Sequence, residues 1–183
     1  MLKIGNLSEE RKEEEKMKKK LLFLVAAFAL FVPSVLAAEP NYDASVKAFF
    51  ANGTPVTVEA RTDGQDGALI KWDGGEKAVP ADTSVFGGSH ESDEKLATTS
   101  VTVNGGTLNN VFGGGLHKSS VGTSTVIING GEIEKDVFGG GEGISYTKKA
   151  SVTVAKSFAW NIRYLTLGGS NGYTDDATAL LLG

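Results

Sequence analysis

Two histidines are the side chains in this sequence with the clearest capacity for chemistry. His90 and His117 each follow a glycine-rich segment, and Glu91, Asp93 and Glu94 lie close to the first of them. Imidazole and carboxylate groups can together ligate a zinc ion. Histidines on polar loops are, however, more often solvated than metal-bound. We therefore predict a chain without a metal or other cofactor, in which His90 and His117 belong to a binding edge made of loops.

A catalytic set of side chains cannot be assembled from the remaining residues. The chain has no cysteine and contains neither a Gly-x-Ser-x-Gly nor a His-Glu-x-x-His motif. Enzymes that cleave polysaccharides need carboxylates placed on both sides of the scissile bond. Asp175 and Asp176 are the only adjacent acidic pair near the C terminus, and such pairs are usually solvated turn formers. The prediction is a non-catalytic chain without catalytic residues.

Aromatic side chains gather in the C-terminal part of the chain. They are Tyr146, Trp160, Tyr164 and Tyr173. An exposed aromatic ring can stack on the apolar face of a sugar ring. The competing interpretation is that these rings are partly buried where they cover the last strands. Tyr146 and Tyr173, which lie close to the predicted loops, are the candidates for ligand binding.

A repeated segment forms the framework that must position these side chains. Val-Phe-Gly-Gly occurs at residues 85–88 and recurs, with a third glycine, at 111–115 and 137–141, so that the phenylalanines are 26 residues apart. A weaker copy, Thr-Leu-Gly-Gly, occupies residues 166–169. A fixed period in this range is typical of a solenoid. The predicted structural column consists of Phe86, Phe112, Phe138 and Leu167.

A second pattern runs in phase with the first. Residues 101–106 and 126–131 carry apolar side chains at alternate positions and end in Asn-Gly-Gly, with Asn104 and Asn129 at the corners. Alternation of period two indicates a strand with one buried face, and Asn and Gly readily turn a corner. Residues 70–75 fit the same pattern, so coils are predicted from residue 68 onward. The sequence therefore predicts an all-β fold, a parallel β-solenoid (β-helix) of about four coils.

The segment ahead of the repeats divides into three parts. A basic stretch, an apolar run and small residues up to Ala37 are typical of a secretory signal peptide, which is predicted to span residues 17–37 with cleavage after Ala37. Residues 1–16 have no role ahead of a signal peptide and are predicted to be a mis-assigned start extension. Residues 38–67 are predicted to form an N-terminal cap and a first strand, and residues 68–183 the solenoid.

The last residues are similar to a strand that opens another coil. Residues 177–183 align with residues 125–129 in their apolar pattern. An uncapped apolar coil exposes an edge that can pair with another chain. We therefore expect either a C-terminal truncation, with further repeats in a longer protein, or an edge that mediates edge-to-edge self-association.

The charge balance argues against one class of partner. The net charge is −4, and residues 1–37 hold more basic than acidic residues, so the remainder is more acidic still. An acidic domain without a basic stripe is a poor partner for nucleic acid or for an anionic membrane. The apolar run of the signal peptide is too short to span a bilayer. No membrane insertion of the mature chain is expected.

The pattern of a strand, Asn-Gly-Gly and Val-Phe-Gly-Gly-Gly across residues 68–170 resembles the repeats of large bacterial surface and adhesin-like proteins with a β-helix architecture. The resemblance implies export, a secreted or cell-surface location, and binding of a glycan or of a host or cell-surface protein. The predicted function is an exported, non-catalytic β-solenoid module that displays loops for such a ligand. Two alternatives stay open: the N-terminal part of a β-helix polysaccharide lyase or hydrolase, and a structural spacer or stalk.

Overall fold

The computed structural model describes residues 38–155 and 162–182. The predicted signal peptide and start extension lie outside the described residues, as does Trp160. The described chain consists of strands and turns without a helix, and its strands stack as the coils of a parallel β-solenoid. The predicted fold class is therefore confirmed, with about four coils. None of the described residues belongs to a helix of the length and apolarity needed to cross a membrane.

The described residues form thirteen strands of very different lengths. They are β1 (Asn41–Asp43), β2 (Ala48–Phe50), β3 (Val56–Ala60), β4 (Ala68–Trp72), β5 (Gly75–Val79), β6 (Ser84–Phe86), β7 (Lys95–Leu108), β8 (Val111–Phe112), β9 (Ser120–Ile133), β10 (Asp136–Phe138), β11 (Tyr146–Ala155), β12 (Tyr164–Thr166) and β13 (Tyr173–Leu182).

These strands make two sheets, and each coil contributes one short and one long strand. The short strands form a sheet in the order β1-β2-β6-β8-β10-β12, and the long strands form a sheet in the order β13-β11-β9-β7-β3-β4-β5. Pairing between successive coils is parallel in both sheets. Residues at the same position of each coil therefore lie one above the other.

The core consists of apolar columns that run through the stack. Val101 pairs with Val126, which pairs with Val152, and all three side chains are fully buried. A second column is formed in the same way by Val103, Ile128 and Val154. Because the same residue type recurs at each level, burial of apolar area stabilises every interface between coils.

The phenylalanines of the repeat form a ladder of stacked rings. Phe86, Phe112 and Phe138 are separated by 4.4 and 4.6 Å between ring centroids, with nearly parallel planes. Phe50 of β2 extends the ladder at 5.2 Å from Phe86. Sequence analysis did not find Phe50, because no Gly-Gly follows it. Offset stacking of this kind adds to the burial of the rings themselves.

The structure differs from the prediction at Leu167. Phe138 pairs with Thr166, so Leu167 lies one position beyond the ladder and packs against the main apolar core. The preceding coils have glycine at the Leu167 position, and a Cβ on Gly139 would lie 2.3 Å from the carbonyl oxygen of Leu167. No described strand lies beyond β12, so a side chain at Leu167 meets no such carbonyl.

The start of the solenoid also differs from the prediction. Strand β3, rather than β4, pairs in parallel with β7, and Val56 lies beside Val101. Strands β4 and β5 are added to β3 as antiparallel neighbours. Asp73 and Gly74 form the two-residue turn between them, with a φ of 98° at Gly74. Asp-Gly between two strands favours a hairpin, and here it forms one instead of the predicted corner of the solenoid.

The asparagine and the second glycine of each Asn-Gly-Gly corner have different structural roles. The left-handed backbone lies at the second glycine, with φ of 85° at Gly106 and 93° at Gly131. The asparagines stack instead, because the Asn129 amide donates a hydrogen bond of 3.0 Å to Oδ1 of Asn104. A register shift between β7 and β9 marks the same point, so the long strands bend there without ending.

Strand β13 has the parallel pairing expected for the first strand of another coil. Thr178 pairs with Ser151, and Leu181 pairs with Val154. Val154, the partner of Leu181, is buried, whereas Leu181 is exposed together with its neighbours Leu180 and Leu182. No described strand covers the outer edge of β13.

Candidate functional site

The segments that follow each Val-Phe-Gly-Gly motif stack into one surface, which we call the loop edge. It comprises residues 89–94, 115–119, 141–145 and 169–172. Parallel bridges join His90 to Leu116 and Leu116 to Glu142, and an antiparallel bridge joins Glu142 to Asn171. Backbone hydrogen bonds of 2.9 Å connect successive levels, such as Leu116 N to Ser89 O. The loop edge is therefore a ladder, and side chains at matching positions lie on adjacent coils.

One position of the loop edge has a left-handed backbone in every coil. It is occupied by Glu91, His117, Gly143 and Asn171, with φ of 49°, 57°, 71° and 58°. Glycine and asparagine adopt this conformation readily, whereas other residues do so at a cost of roughly 1 kcal/mol or more. Glu91 and His117 are thus held in a costly conformation at equivalent levels of two adjacent coils.

The two histidines and Glu91 meet on the first two levels of the loop edge. One ligand-type atom from each of His90, Glu91 and His117 lies within 4.8 Å of the others. The imidazole rings are 5.6 Å apart. The His90 ring also stacks on Phe50 at 5.0 Å with an interplanar angle of 11°, which ties it to the phenylalanine ladder. The predicted binding residues His90 and His117 are therefore close neighbours.

Two further carboxylates act on these histidines. Glu142 lies on the next level, where its backbone carbonyl oxygen accepts a 2.9 Å hydrogen bond from the backbone N–H of His117. Burial raises the pKa of Glu142, and the charge of His117 opposes that effect. The pKa of Asp43 is lowered, chiefly by hydrogen bonds from Ser45 and to a smaller extent by His90. Glu142 and Asp43 thus place two further acidic side chains within electrostatic range of the two imidazoles.

The two predicted binding tyrosines also lie side by side. Tyr146 of β11 is the register partner of Tyr173 of β13, and the two are 38% and 69% exposed. The Tyr146 hydroxyl donates a hydrogen bond to Oδ2 of Asp175. That hydrogen bond raises the pKa of Tyr146. Because neighbouring strands are about 4.8 Å apart, the two tyrosine side chains project from positions separated by one strand spacing.

A shallow, open groove crosses the same strands a few residues further along. It is lined by Thr123, Lys149, Ala150, Ser151, Asp176, Ala177 and Thr178. Lys149 and Asp176 are register partners, so the groove presents an ammonium donor beside a carboxylate acceptor, together with several hydroxyl groups. The groove is not apparent from the sequence, because its residues come from three different coils and share no motif.

Asp175, weighed above as a catalytic carboxylate, and the two arginines Arg61 and Arg163 have partners in the described structure. Asp175 accepts the Tyr146 hydroxyl and lies in β13 rather than in a loop. Arg163 forms two hydrogen bonds of 3.0 and 2.9 Å with Asp136. Arg61 binds Asp63 and holds the pKa of that carboxyl at about 2. The absence of a catalytic centre stays a prediction.

Comparison with protein-family models, with curated proteins and with solved structures returned no match.

Proposed function

We propose that this chain is an exported, non-catalytic β-solenoid module of a bacterial cell-surface or adhesin-like protein, and that it binds a glycan at Tyr146 and Tyr173. The observation that carries the proposal is the pairing of these two exposed tyrosines on neighbouring strands. Two apolar rings at one strand spacing offer a platform for the face of a sugar ring.

The surroundings of the tyrosines fit a hydroxylated ligand. Asp175 fixes the hydroxyl of Tyr146, and this restricts the ring before a ligand arrives. The adjacent groove contributes Lys149, Asp176 and side-chain hydroxyl groups, which can exchange hydrogen bonds with sugar hydroxyls. Preorganised side chains on a rigid scaffold reduce the entropy cost of binding. The stacked coils provide such a scaffold.

Export is supported by the sequence features of residues 17–37 and by the resemblance to surface proteins. The loop edge suits a displayed module, since binding residues on a repeat scaffold are commonly found on loops. The test of export is the N-terminal sequence and location of the protein in its own organism. A cell-surface form that begins at Ala38 supports the proposal, and a cytoplasmic form that retains residues 17–37 contradicts it.

The binding test uses residues 38–183 on a glycan array, followed by titration calorimetry with the best glycan. Tyr146→Ala and Tyr173→Ala should each weaken binding by at least about tenfold, which corresponds to about 1.4 kcal/mol. Tyr164→Ala is the control, because Tyr164 is about as exposed as Tyr173 but lies on β12 of the other sheet. An array without any bound glycan, or an equal loss in the control, would overturn glycan binding and favour a spacer.

A further inference from the structure

We propose that His90, Glu91 and His117 form a binding site for a divalent transition-metal ion of the zinc class. The site lies on the first two levels of the loop edge and does not depend on glycan binding at the tyrosines. It departs from the sequence-based prediction of a metal-free chain. That prediction treated the histidines as separate solvated side chains, because the sequence does not show that stacking brings them together.

The number and type of ligands match this class of ion. Two imidazole nitrogens and one carboxylate oxygen are a common protein ligand set for zinc and for other first-row transition metals. Calcium and magnesium prefer sites made of oxygen ligands alone. Three protein ligands would leave at least one coordination position open to water.

The geometry requires only a small adjustment of side chains. The three ligand-type atoms lie within 4.8 Å of one another. A tetrahedral zinc with bonds of about 2.1 Å places its ligands about 3.4 Å apart. The side chains of Glu91 and His117 are exposed, so rotation about their χ angles can supply this contraction while the backbone stays in place.

The backbone around the site is already held in position. The Glu91 N–H donates to Leu116 O at 3.2 Å, and the His117 N–H donates to Glu142 O at 2.9 Å. The third ligand, His90, is fixed by its stacking on Phe50. Glu91 and His117 occupy equivalent positions of adjacent coils, and both have a left-handed backbone there. Such strain is commonly found at functional sites.

The electrostatic surroundings also favour a cation. Glu91 contributes a carboxylate to the ligand set, and the carboxyl groups of Glu142 and Asp43 lie within electrostatic range of His117 and His90 respectively. These charges attract a divalent ion toward the imidazoles and oppose the binding of anions there.

The test is titration calorimetry with Zn²⁺ on residues 38–183 after removal of any affinity tag. The chain contains only two histidines, so imidazole-dependent binding must come from this site. One Zn²⁺ per chain is expected, with reversal by EDTA. The visible absorption spectrum with Co²⁺ should show the intense bands of a low-coordinate nitrogen and oxygen site.

The variants are chosen so that the fold survives. His117→Asn retains a residue that tolerates the left-handed backbone, and His90→Phe retains the stacking on Phe50. Each of these two variants should weaken Zn²⁺ binding by at least about thirtyfold, and Glu91→Gln by about tenfold. The loss is large because removal of one ligand leaves only two protein ligands to hold the ion. Glu132→Gln is the control, since Glu132 is an exposed carboxylate on strand β9 outside the site.

The outcomes separate this proposal from the glycan site. Two results would overturn the metal site. One is Zn²⁺ binding that survives in the His90→Phe/His117→Asn double variant. The other is no binding of Zn²⁺ to the folded parent at about 0.1 mM, roughly the affinity of the weakest protein sites for divalent ions. The Tyr146→Ala and Tyr173→Ala variants should bind Zn²⁺ like the parent. A failure of glycan binding therefore leaves the metal result unaffected.

Discussion

At the scale of single residues, the neighbours of a side chain are determined by its position in the stack of coils. His90 and His117 are distant in the sequence but adjacent in the stack, and Tyr146 and Tyr173 are related in the same way. The same principle controls buried polar side chains. Thr99 and Ser124 each donate a hydrogen bond of 2.5 Å to a carbonyl of a glycine corner. Thr147, also buried, has no hydrogen-bond partner among the described residues.

Replacement of Thr147 by valine should stabilise the protein by about 1 kcal/mol, because it removes a buried hydroxyl that makes no hydrogen bond. The repeat itself supports the change, since Val121 is buried at the same position of the preceding coil. The free energy of unfolding in urea is the measurement. Thr99→Val should have the opposite effect, a loss of about 1 kcal/mol, because Gly113 O loses its hydrogen bond. Changes of the same sign in the free energy of unfolding of both variants would contradict this account.

Glu142→Gln should stabilise the metal-free protein at pH 7, and the gain should shrink as the pH falls toward 4. Burial raises the pKa of Glu142 in the folded state above its unfolded value. The folded state therefore favours the protonated carboxyl. The stability that this protonation contributes is present below the unfolded pKa and is lost as the pH rises through the folded pKa. The measurement is urea unfolding at both pH values with EDTA present. The exposed Glu132→Gln variant is the control, and a gain that does not change with pH would refute the explanation.

At the scale of elements, close contact between coils decides where glycine is required. Gly114, Gly140 and Gly168 occupy one position of three successive coils, as the N–H to O hydrogen bonds of 3.0 Å between them show. A Cβ on Gly114 would lie 2.6 Å from Gly141 N and 2.9 Å from Gly141 Cα. At Gly168 the nearest atom would be 3.8 Å away. The motif is therefore a packing requirement of the interior coils.

Gly114→Ala should destabilise the protein by about 3 kcal/mol, since the added methyl group forces the backbones of two coils apart. Gly168→Ala, at the equivalent position of the outer coil, should change the stability by less than about 0.5 kcal/mol. Thermal unfolding followed by circular dichroism compares the two variants. Similar melting temperatures for both would mean that contact between coils is not the reason for the glycine.

At the scale of the whole molecule, the stack has inner and outer coils with different protection. Strand β9 pairs with β7 on one side and β11 on the other, whereas β13 pairs with β11 alone among the described strands. Most side chains of β13 are exposed, whereas in β9 a buried side chain recurs at about every second position. In a stack of this kind, stability is approximately the sum of contributions from adjacent coils.

Backbone amides of β13 should therefore exchange with solvent at least about tenfold faster than those of β9, because opening the outer coil breaks a single interface. Hydrogen–deuterium exchange of residues 38–183, read by mass spectrometry, is the measurement. Strand β7, which is paired on both sides, is the internal control and should exchange like β9. Uniform protection across β7, β9 and β13 would indicate that the stack opens as a single unit.

The sequence by itself determined the repeat, the strand positions in the middle coils and the residue types of the core columns. These features depend on local chemistry, since alternation of apolar residues and the conformational freedom of glycine act within a few residues. The tertiary structure alone decided the register of the last coil, where Thr166 rather than Leu167 pairs with Phe138. It also decided that β3, rather than β4, pairs in parallel with β7.

The candidate sites divide in the same way. The sequence indicated His90, His117, Tyr146 and Tyr173 as side chains capable of binding, because residue type alone gives that capacity. Only the stacked structure placed Glu91 with both histidines, and Tyr146 beside Tyr173. The physical reason is that the spacing along the chain is not constant. In the sheet of long strands the step is 25 residues from Val101 to Val126 and 26 from Val126 to Val152. Contact across the stack, rather than distance along the chain, therefore determines which side chains meet.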